Sequence, residues 1–199
     1  IDRRWAGEIA LADGVREEAP GVVSAFQEAG IEVVLVTGDT AAAARRVAGE
    51  VGIERLHAGV LPGEKQGIVR EEQQGGAVVA MVGDGINDAP ALAAADTGIA
   101  IGSGADAAKE SGDLVLVRSD LRDLLRAWRL ARATLARVRL NLGWAFLYNL
   151  LGMPVAAGVF AGAGVTLRPE YAGLAMALSS VSVVMSSLLL RRKEGRIFR

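Results

Sequence analysis

Ala77-Val-Val-Ala-Met-Val82, running straight into Gly83-Asp-Gly-Ile-Asn-Asp88, is the stretch that decides the fold. Six apolar residues without a polar interruption suit a strand buried on both faces, as in a parallel sheet covered by helices. The loop that follows places Asp84 and Asp88 among glycines, so hard oxygen donors meet a tight backbone turn at the strand's carboxyl end. The same pattern occurs earlier, where Ile31–Val36 (IEVVLV) leads into Thr37-Gly38-Asp39.

Outward from these two runs, residues 1–117 alternate short apolar stretches with helical patterns, the signature of crossover-connected parallel strands. Strands are expected at Glu8–Ala12, Glu32–Val36, Ala77–Val82, Thr97–Ile101 and Leu114–Val117. Helices are expected at about Arg16–Ala29, Thr40–Val51, Glu64–Gln73, Asp88–Ala94 and Ala105–Glu110. Thr40 and Ser103 suit N-caps, Pro62 suits a first helical turn, and Gly30, Gly52 and Gly112 suit helix ends. In a doubly wound sheet ligands bind at the carboxyl ends of strands, so the Thr37 and Asp84 loops are expected to face one crevice.

The net charge of −1 over 199 residues conceals two unlike segments. Residues 1–117 hold 9 Lys/Arg against 19 Asp/Glu, and residues 118–199 hold 13 against 4. The second segment has no charged residue or His across 140–167 and none across 171–190, runs of 28 and 20 residues. Each reaches the roughly 20 residues that span a bilayer as a helix. Arg122, Arg126, Arg129, Arg132, Arg137 and Arg139 precede the first run, RRKEGRIFR follows the second, and the connection holds only Arg168. The positive-inside rule then gives a hairpin with both ends cytoplasmic, and snorkelling explains why the arginines stop where the run starts. A solvated basic helix face is the plainer alternative.

The lack of cysteine excludes a disulfide scaffold, a thiolate metal site and a Cys nucleophile within these residues. The start, IDRRWAGEIALADG, has neither an initiator Met nor an apolar signal region, which leads us to expect a piece of something longer. Asp84 and Asp88 suit Mg²⁺, the Thr37 hydroxyl and the amides around Gly38 suit phosphoryl oxygens, and Lys65 suits charge neutralisation beside them. Each has a plainer reading: T-G-D as a common capped turn, the acidic loop as an Asx turn, Lys65 as a solvated helix residue. Gly83-x-Gly85 is no dinucleotide fingerprint, because Asp88 takes the third glycine position, and no Gly-Lys-Ser/Thr makes a Walker loop. His57, the only histidine, reads as structural.

Together TGD, Pro62-x-x-Lys65, GDGIND and the following uncharged pair resemble the P-type ATPases over essentially the whole chain. Asn141–Asn149 and Ala175–Val184 resemble the last two membrane helices of the heavy-metal-transporting branch, with Tyr148-Asn149 and Met176-x-x-x-Ser180 pointing to its copper(I) group. The resemblance implies a haloacid-dehalogenase-like α/β parallel sheet, as part of a phosphorylation domain, followed by a two-helix transmembrane hairpin. Thr37 and Gly38 would cradle the phosphoryl group of a phosphorylated Asp, Lys65 would contact it, and Asp39 would support the loop. Asp84 would bind Mg²⁺, with Asp88 beside it and Gly83, Gly85 and Asn87 supporting the loop. The sequence contains no DKTGT and no Cys-Pro-Cys, so the nucleophile and much of the transporter are expected upstream, and the fragment alone is expected to be inactive.

On this reading residues 1–118 are the carboxy-terminal part of the phosphorylation domain and 119–139 a basic linker helix. Residues 140–165 and 171–190 are transmembrane helices, 166–170 an outer loop and 191–199 a cytoplasmic tail, giving a multi-pass cell-membrane protein with 1–139 cytoplasmic. Met176 and Ser180 are i and i+4 on one helix face, and a thioether is a soft ligand that favours copper(I). With Tyr148 and Asn149 they form the candidate site for transported metal, since polar groups at membrane depth are functional candidates. Small-residue packing is the alternative, and the preferred one for Ser179 and Ser182. Pro154 and the nearby glycines suggest a kink near Met153. ATP is the implied substrate of the complete protein, Mg²⁺ its cofactor and Cu⁺ its cargo, with lipid and the upstream domains as partners and no nucleic acid. The competing functions are a membrane-tethered haloacid-dehalogenase-like phosphatase, a zinc or cadmium pump of the same family, and a non-catalytic membrane adaptor.

Overall fold

The computed structural model describes residues 14–84, 87–102, 112–164, 173–174 and 178–188. The chain divides into two compact units, Ile1–Leu125 and Arg126–Arg199. In the first, α1 (Ala19–Glu28), β1 (Val34–Val36), α2 (Ala41–Val51), β2 (Arg55–His57) and α3 (Lys65–Gln74) lead to β3 (Ala80–Gly83). Then come α4 (Ala89–Ala94), β4 (Thr97–Ile101) and β5 (Leu114–Leu116). Among the described residues every strand pairing is parallel, as expected of alternating strands and helices.

Among the described residues the strands form two ladders, β1–β2 and β3–β4–β5, where the sequence suggests one sheet. β2 is a strand that the sequence reading lacks. Arg55-Leu56-His57 has a single apolar residue and an exposed first position, so it carries no buried-strand signal. The expected strand Glu8–Ala12, the cap Ser103 and the helix Ala105–Glu110 lie outside the described residues. α1 starts at Ala19 instead of Arg16, with Pro20 in its first turn, where a missing N–H costs nothing. Thr40 caps α2, its side chain accepting the Ala43 N–H at 3.4 Å, and Gly52 closes that helix with φ 79°.

β4 is the central strand of its ladder, and Ile99 and Ala100 are buried. Leu92 of α4 packs on Ala100, with Met81 and Val115 around them. Gly98 makes this approach possible: a Cβ there would stand 2.6 Å from the Leu92 carbonyl oxygen. Gly98→Ala is therefore expected to push α4 off β4 and to cost about 1–3 kcal/mol, as overpacking usually does. Denaturant unfolding is the check.

Asp96 ties β3 to α3. Its carboxylate accepts the Val79 N–H at 2.8 Å and the Gln73 Nε2–H at 3.1 Å. Those bonds, the Val79 amide first, hold its carboxyl below the ordinary 3.8. A depressed folded value means that the contribution is present above the unfolded value and is lost as pH falls through the folded one. Asp96→Asn is expected to lower stability near neutrality and to flatten the acid side of the stability–pH curve, the difference from the parent shrinking as pH falls below about 4. Arg55 pairs with Glu32 at 2.9 Å and with Glu72, linking β2 to α3 at the surface.

α5 (Leu121–Ala156) is one helix of 36 residues, with no break between the expected linker and the expected span. The Asp120 carboxylate accepts the Arg122 N–H at 2.9 Å at its start. Pro154 falls in the last turn and Gly158 follows with φ 77°, so the helix ends at Ala156 and not near 165, and Pro154 is terminal where a mid-span kink is expected. A short 3-10 turn covers Ala161–Ala163, and residues 178–188 are helical. Among the described residues no helix is long and apolar enough to cross a membrane. The uncharged part of α5, residues 140–156, includes Asn141, Asn149 and Pro154 and falls short of the roughly 20 residues a span needs.

Candidate functional site

β1 ends at Val36 and delivers Thr37 into a closed turn. The Thr37 N–H donates to the His57 carbonyl at 2.9 Å, continuing the β1–β2 ladder by one bond. The Asp39 N–H donates to Thr37 Oγ1 at 3.1 Å, so the threonine hydroxyl shapes its own turn. Residues 59–60 lie across it: the Gly59 N–H donates to the Asp39 carbonyl at 2.8 Å and the Val60 N–H to the Thr37 carbonyl at 3.0 Å. Gly38 sits against this strap, where a Cβ would stand 3.3 Å from the Val60 carbonyl oxygen.

The strap leads on to α3. The Leu61 N–H donates to Glu64 Oε2 and the Glu64 N–H to the Leu61 carbonyl, both at 2.9 Å, which folds residues 61–64 into a turn. Pro62 therefore precedes the helix, which begins at Lys65. Lys65 Nζ donates to Asp88 Oδ1 at 2.7 Å, and the two side chains are only 15% and 11% exposed. That is a shielded ion pair between the first residue of α3 and the loop after β3.

Asp88 is held from both sides. Its carbonyl accepts the Leu92 N–H at 2.8 Å in the first turn of α4, and its side chain lies directly over Gly83. A Cβ on Gly83 would stand 2.8 Å from Asp88 Cβ and 2.9 Å from its Cγ, so only glycine fits at the end of β3. Asp84, one residue on, is exposed, as is Asn87, while Gly85 lies outside the described residues. One continuous path thus joins the two loops singled out in the sequence: Thr37–Gly38, Val60, Lys65, Asp88, Gly83. The sequence reading lacked the strap at Gly59–Val60, for which only the glycine, with φ 69°, is a signal.

Asp88, expected beside Asp84 as a Mg²⁺ ligand, engages Lys65 through one carboxylate oxygen. Mg²⁺ usually takes one or two carboxylates and completes its shell with water and substrate phosphate. Among the described residues no cluster of three or more His, Cys, Asp or Glu forms a self-sufficient cage. An exposed Asp84 next to a Lys-paired Asp88 fits a cation shared with a phosphoryl group. Asp39 is exposed and contributes backbone bonds to its turn, and His57 acts through its carbonyl at the end of β2.

In the second unit, Tyr148 and Asn149 lie on α5 and are exposed, and Asn149 Nδ2 donates back to the Ala145 carbonyl at 2.9 Å. Ser180 lies in the helical stretch 178–188, and Met176 lies outside the described residues. Arg137 donates to Ser186 Oγ and Asn141 Nδ2 to Ser187 Oγ, each at 3.1 Å. The start of the first uncharged run therefore adjoins the end of the second.

A parallel α/β unit with an acidic loop at a strand's carboxyl end defines the class, and residues 1–96 match the haloacid dehalogenase-like hydrolase family. The chain is 51% identical over 191 residues to Copper-transporting ATPase 2 of Homo sapiens, covering 96% of this chain and 13% of that protein. It is 48% identical over 192 residues to a copper-transporting P-type ATPase of Rhizobium leguminosarum bv. viciae, covering 96% of this chain and 23% of that one. A zinc-transporting PIB-type ATPase in its E2.Pi state superposes with a TM-score of 0.70 at 36% identity, over 94% of this chain and 28% of that one. The chain is homologous to part of the heavy-metal-transporting P-type ATPases, and it spans less than a quarter of the length of these two curated relatives.

Proposed function

We propose that this chain supplies the phosphoryl- and Mg²⁺-handling loops and a membrane hairpin of an ATP-driven copper(I) pump. The observation that carries the reading is the Lys65–Asp88 pair at the carboxyl end of β3, tied through residues 59–61 to the Thr37 turn. The Thr37 hydroxyl and the Gly38 amide offer donors to phosphoryl oxygens, and Lys65 offers a cation in a partly dry site where charge stabilisation is strongest. Asp84, with Asp88 beside it, would hold Mg²⁺, which supplies charge neutralisation on those oxygens when bound. The phosphorylated aspartate is proposed to belong to a segment outside these 199 residues, so the fragment alone is inactive.

The hairpin rests on the uncharged runs at 140–167 and 171–190, and the contacts of Arg137 and Asn141 with Ser186 and Ser187 support an antiparallel pair. For the cargo, Met176, Ser180, Tyr148 and Asn149 are the proposed ligand set. The likeness to a zinc-transporting structure favours a second reading, zinc, but identity to the copper-transporting relative is 51% against 36%. Neither uncharged run carries the Lys or Asp expected of a zinc or cadmium site. Met176→Leu or Asn149→Ala in the complete pump is expected to weaken copper(I) stimulation by about tenfold or more, since even outer-shell partners commonly cost that much. Unchanged copper(I) titrations would remove these residues from the site.

The phosphoryl assignment is tested by Mg²⁺-dependent binding of orthovanadate, a phosphate analogue, to the complete pump. Thr37→Ala and Lys65→Met should each weaken it, and binding unchanged in both contradicts the assignment.

A further inference from the structure

Two polar contacts join α5 to the helical stretch 178–188, and their donors are one turn apart on α5. Arg137 Nη1 donates to Ser186 Oγ and Asn141 Nδ2 to Ser187 Oγ, each at 3.1 Å. The Ser187 hydroxyl donates to its own helix, at the Val183 carbonyl 2.9 Å away, so its oxygen is left to accept from Asn141. Arg137, Asn141 and Ala145 are half-buried among exposed neighbours on α5, and Ser179, Val183 and Ser186 are the half-buried positions of 178–188. Spacings of three and four residues put each trio on one helix face, and these two faces form the seam.

Beyond the two contacts the seam offers Ala145, Ser179 and Val183, small or apolar residues that pack closely but discriminate poorly between neighbouring registers. A polar pair in such a seam sets the register, as a single Asn does in a coiled coil. Tyr148 follows Asn141 by seven residues, and Ser180 precedes Ser187 by seven. Seven residues rise about 10 Å and make about two turns, which returns each position to within about 20° of the face it started from. With the helices antiparallel, Tyr148 and Ser180 then stand at one height, with Asn149 one residue further on. We propose that Asn141 and Ser187, with Arg137 and Ser186 beside them, are positioning residues whose contact fixes the register of the two helices. This clasp holds Tyr148 and Asn149 at the height of Ser180.

The inference rests on the cargo-site reading for its functional part, and the experiment separates the two. In the complete pump, Asn141→Leu and Ser187→Ala each delete the bond. The copper(I) concentration for half-maximal stimulation of ATP hydrolysis is expected to rise about three- to tenfold, the range found for interhelical hydrogen bonds in membranes. Orthovanadate binding should stay unchanged. The exchanged pair Asn141→Ser/Ser187→Asn restores a donor and an acceptor and is expected to recover most of the loss, which a packing defect would not allow. Register is read without copper, from disulfide formation between Ala145→Cys and Val183→Cys, one turn beyond the clasp on each helix, with the joined peptides identified by mass spectrometry. The cross-link should form readily in the otherwise unchanged pump and fall severalfold in Asn141→Leu/Ser187→Ala. A cross-link and a copper(I) response both indifferent to these substitutions overturn the clasp and leave the cargo site standing. A cross-link that falls while the copper(I) titration does not move supports the register and removes the cargo site from these residues. No cross-link in the otherwise unchanged pump overturns the seam itself.

Discussion

Lys65→Met is expected to destabilise the first unit by about 3–5 kcal/mol, the cost of leaving a buried charge without its partner. Asp88 is 8% exposed and lies on Gly83, so its carboxylate has no room to swing out to water when the ammonium is gone. The double variant Lys65→Met/Asp88→Asn removes both charges in nearly the same shape, and it should recover part of the loss. A coupling of about 1–3 kcal/mol is expected from residues in direct contact. Denaturant unfolding of the two single variants and the double measures it. A cost below about 0.5 kcal/mol for Lys65→Met is typical of a solvated surface pair and would contradict the shielded site.

Asp84→Ala has the opposite profile. Asp84 is exposed at the carboxyl end of β3, so its loss should cost the fold much less than loss of the shielded Lys65–Asp88 pair. The same substitution should lower Mg²⁺-dependent phosphoenzyme formation in the complete pump by about 100- to 1000-fold, because metal-ion charge stabilisation is worth several kcal/mol and each 1.36 kcal/mol is tenfold in rate. Stability and turnover should thus separate the two carboxylates, Asp88 being expected to keep Lys65 and the loop in place and Asp84 to meet the proposed cation. Raising Mg²⁺ should restore part of the activity if Asp84 acts through the metal. Stability lost along with activity would instead make Asp84 a fold residue.

Much of this arrangement is legible from residues alone, and the gaps have physical causes. β4 appears where Thr97–Ile101 predicts it, because a central strand is apolar on both faces. β2 escapes because Arg55 and His57 flank a lone Leu56, and the strand exists through pairing with β1. Lys65 and Asp88 are each visible as chemistry-bearing residues, but their contact joins positions 23 apart and is made by α3 and α4 coming together, which no local pattern encodes. Gly83 reads as a turn residue, whereas its role is to leave space for the Asp88 side chain. The end of α5 is misjudged from the lack of charge alone, since Pro154 and Gly158 stop the helix at Ala156 whatever the hydropathy beyond.

The most direct test is copper(I)-stimulated ATP hydrolysis by the complete pump containing this chain, beside the same pump with Asp84→Asn. Stimulation by copper(I) and not by zinc, abolished by Asp84→Asn, is the expected result. Hydrolysis indifferent to copper(I), or undiminished by Asp84→Asn, would contradict the assignment of these loops to a copper-driven phosphorylation cycle.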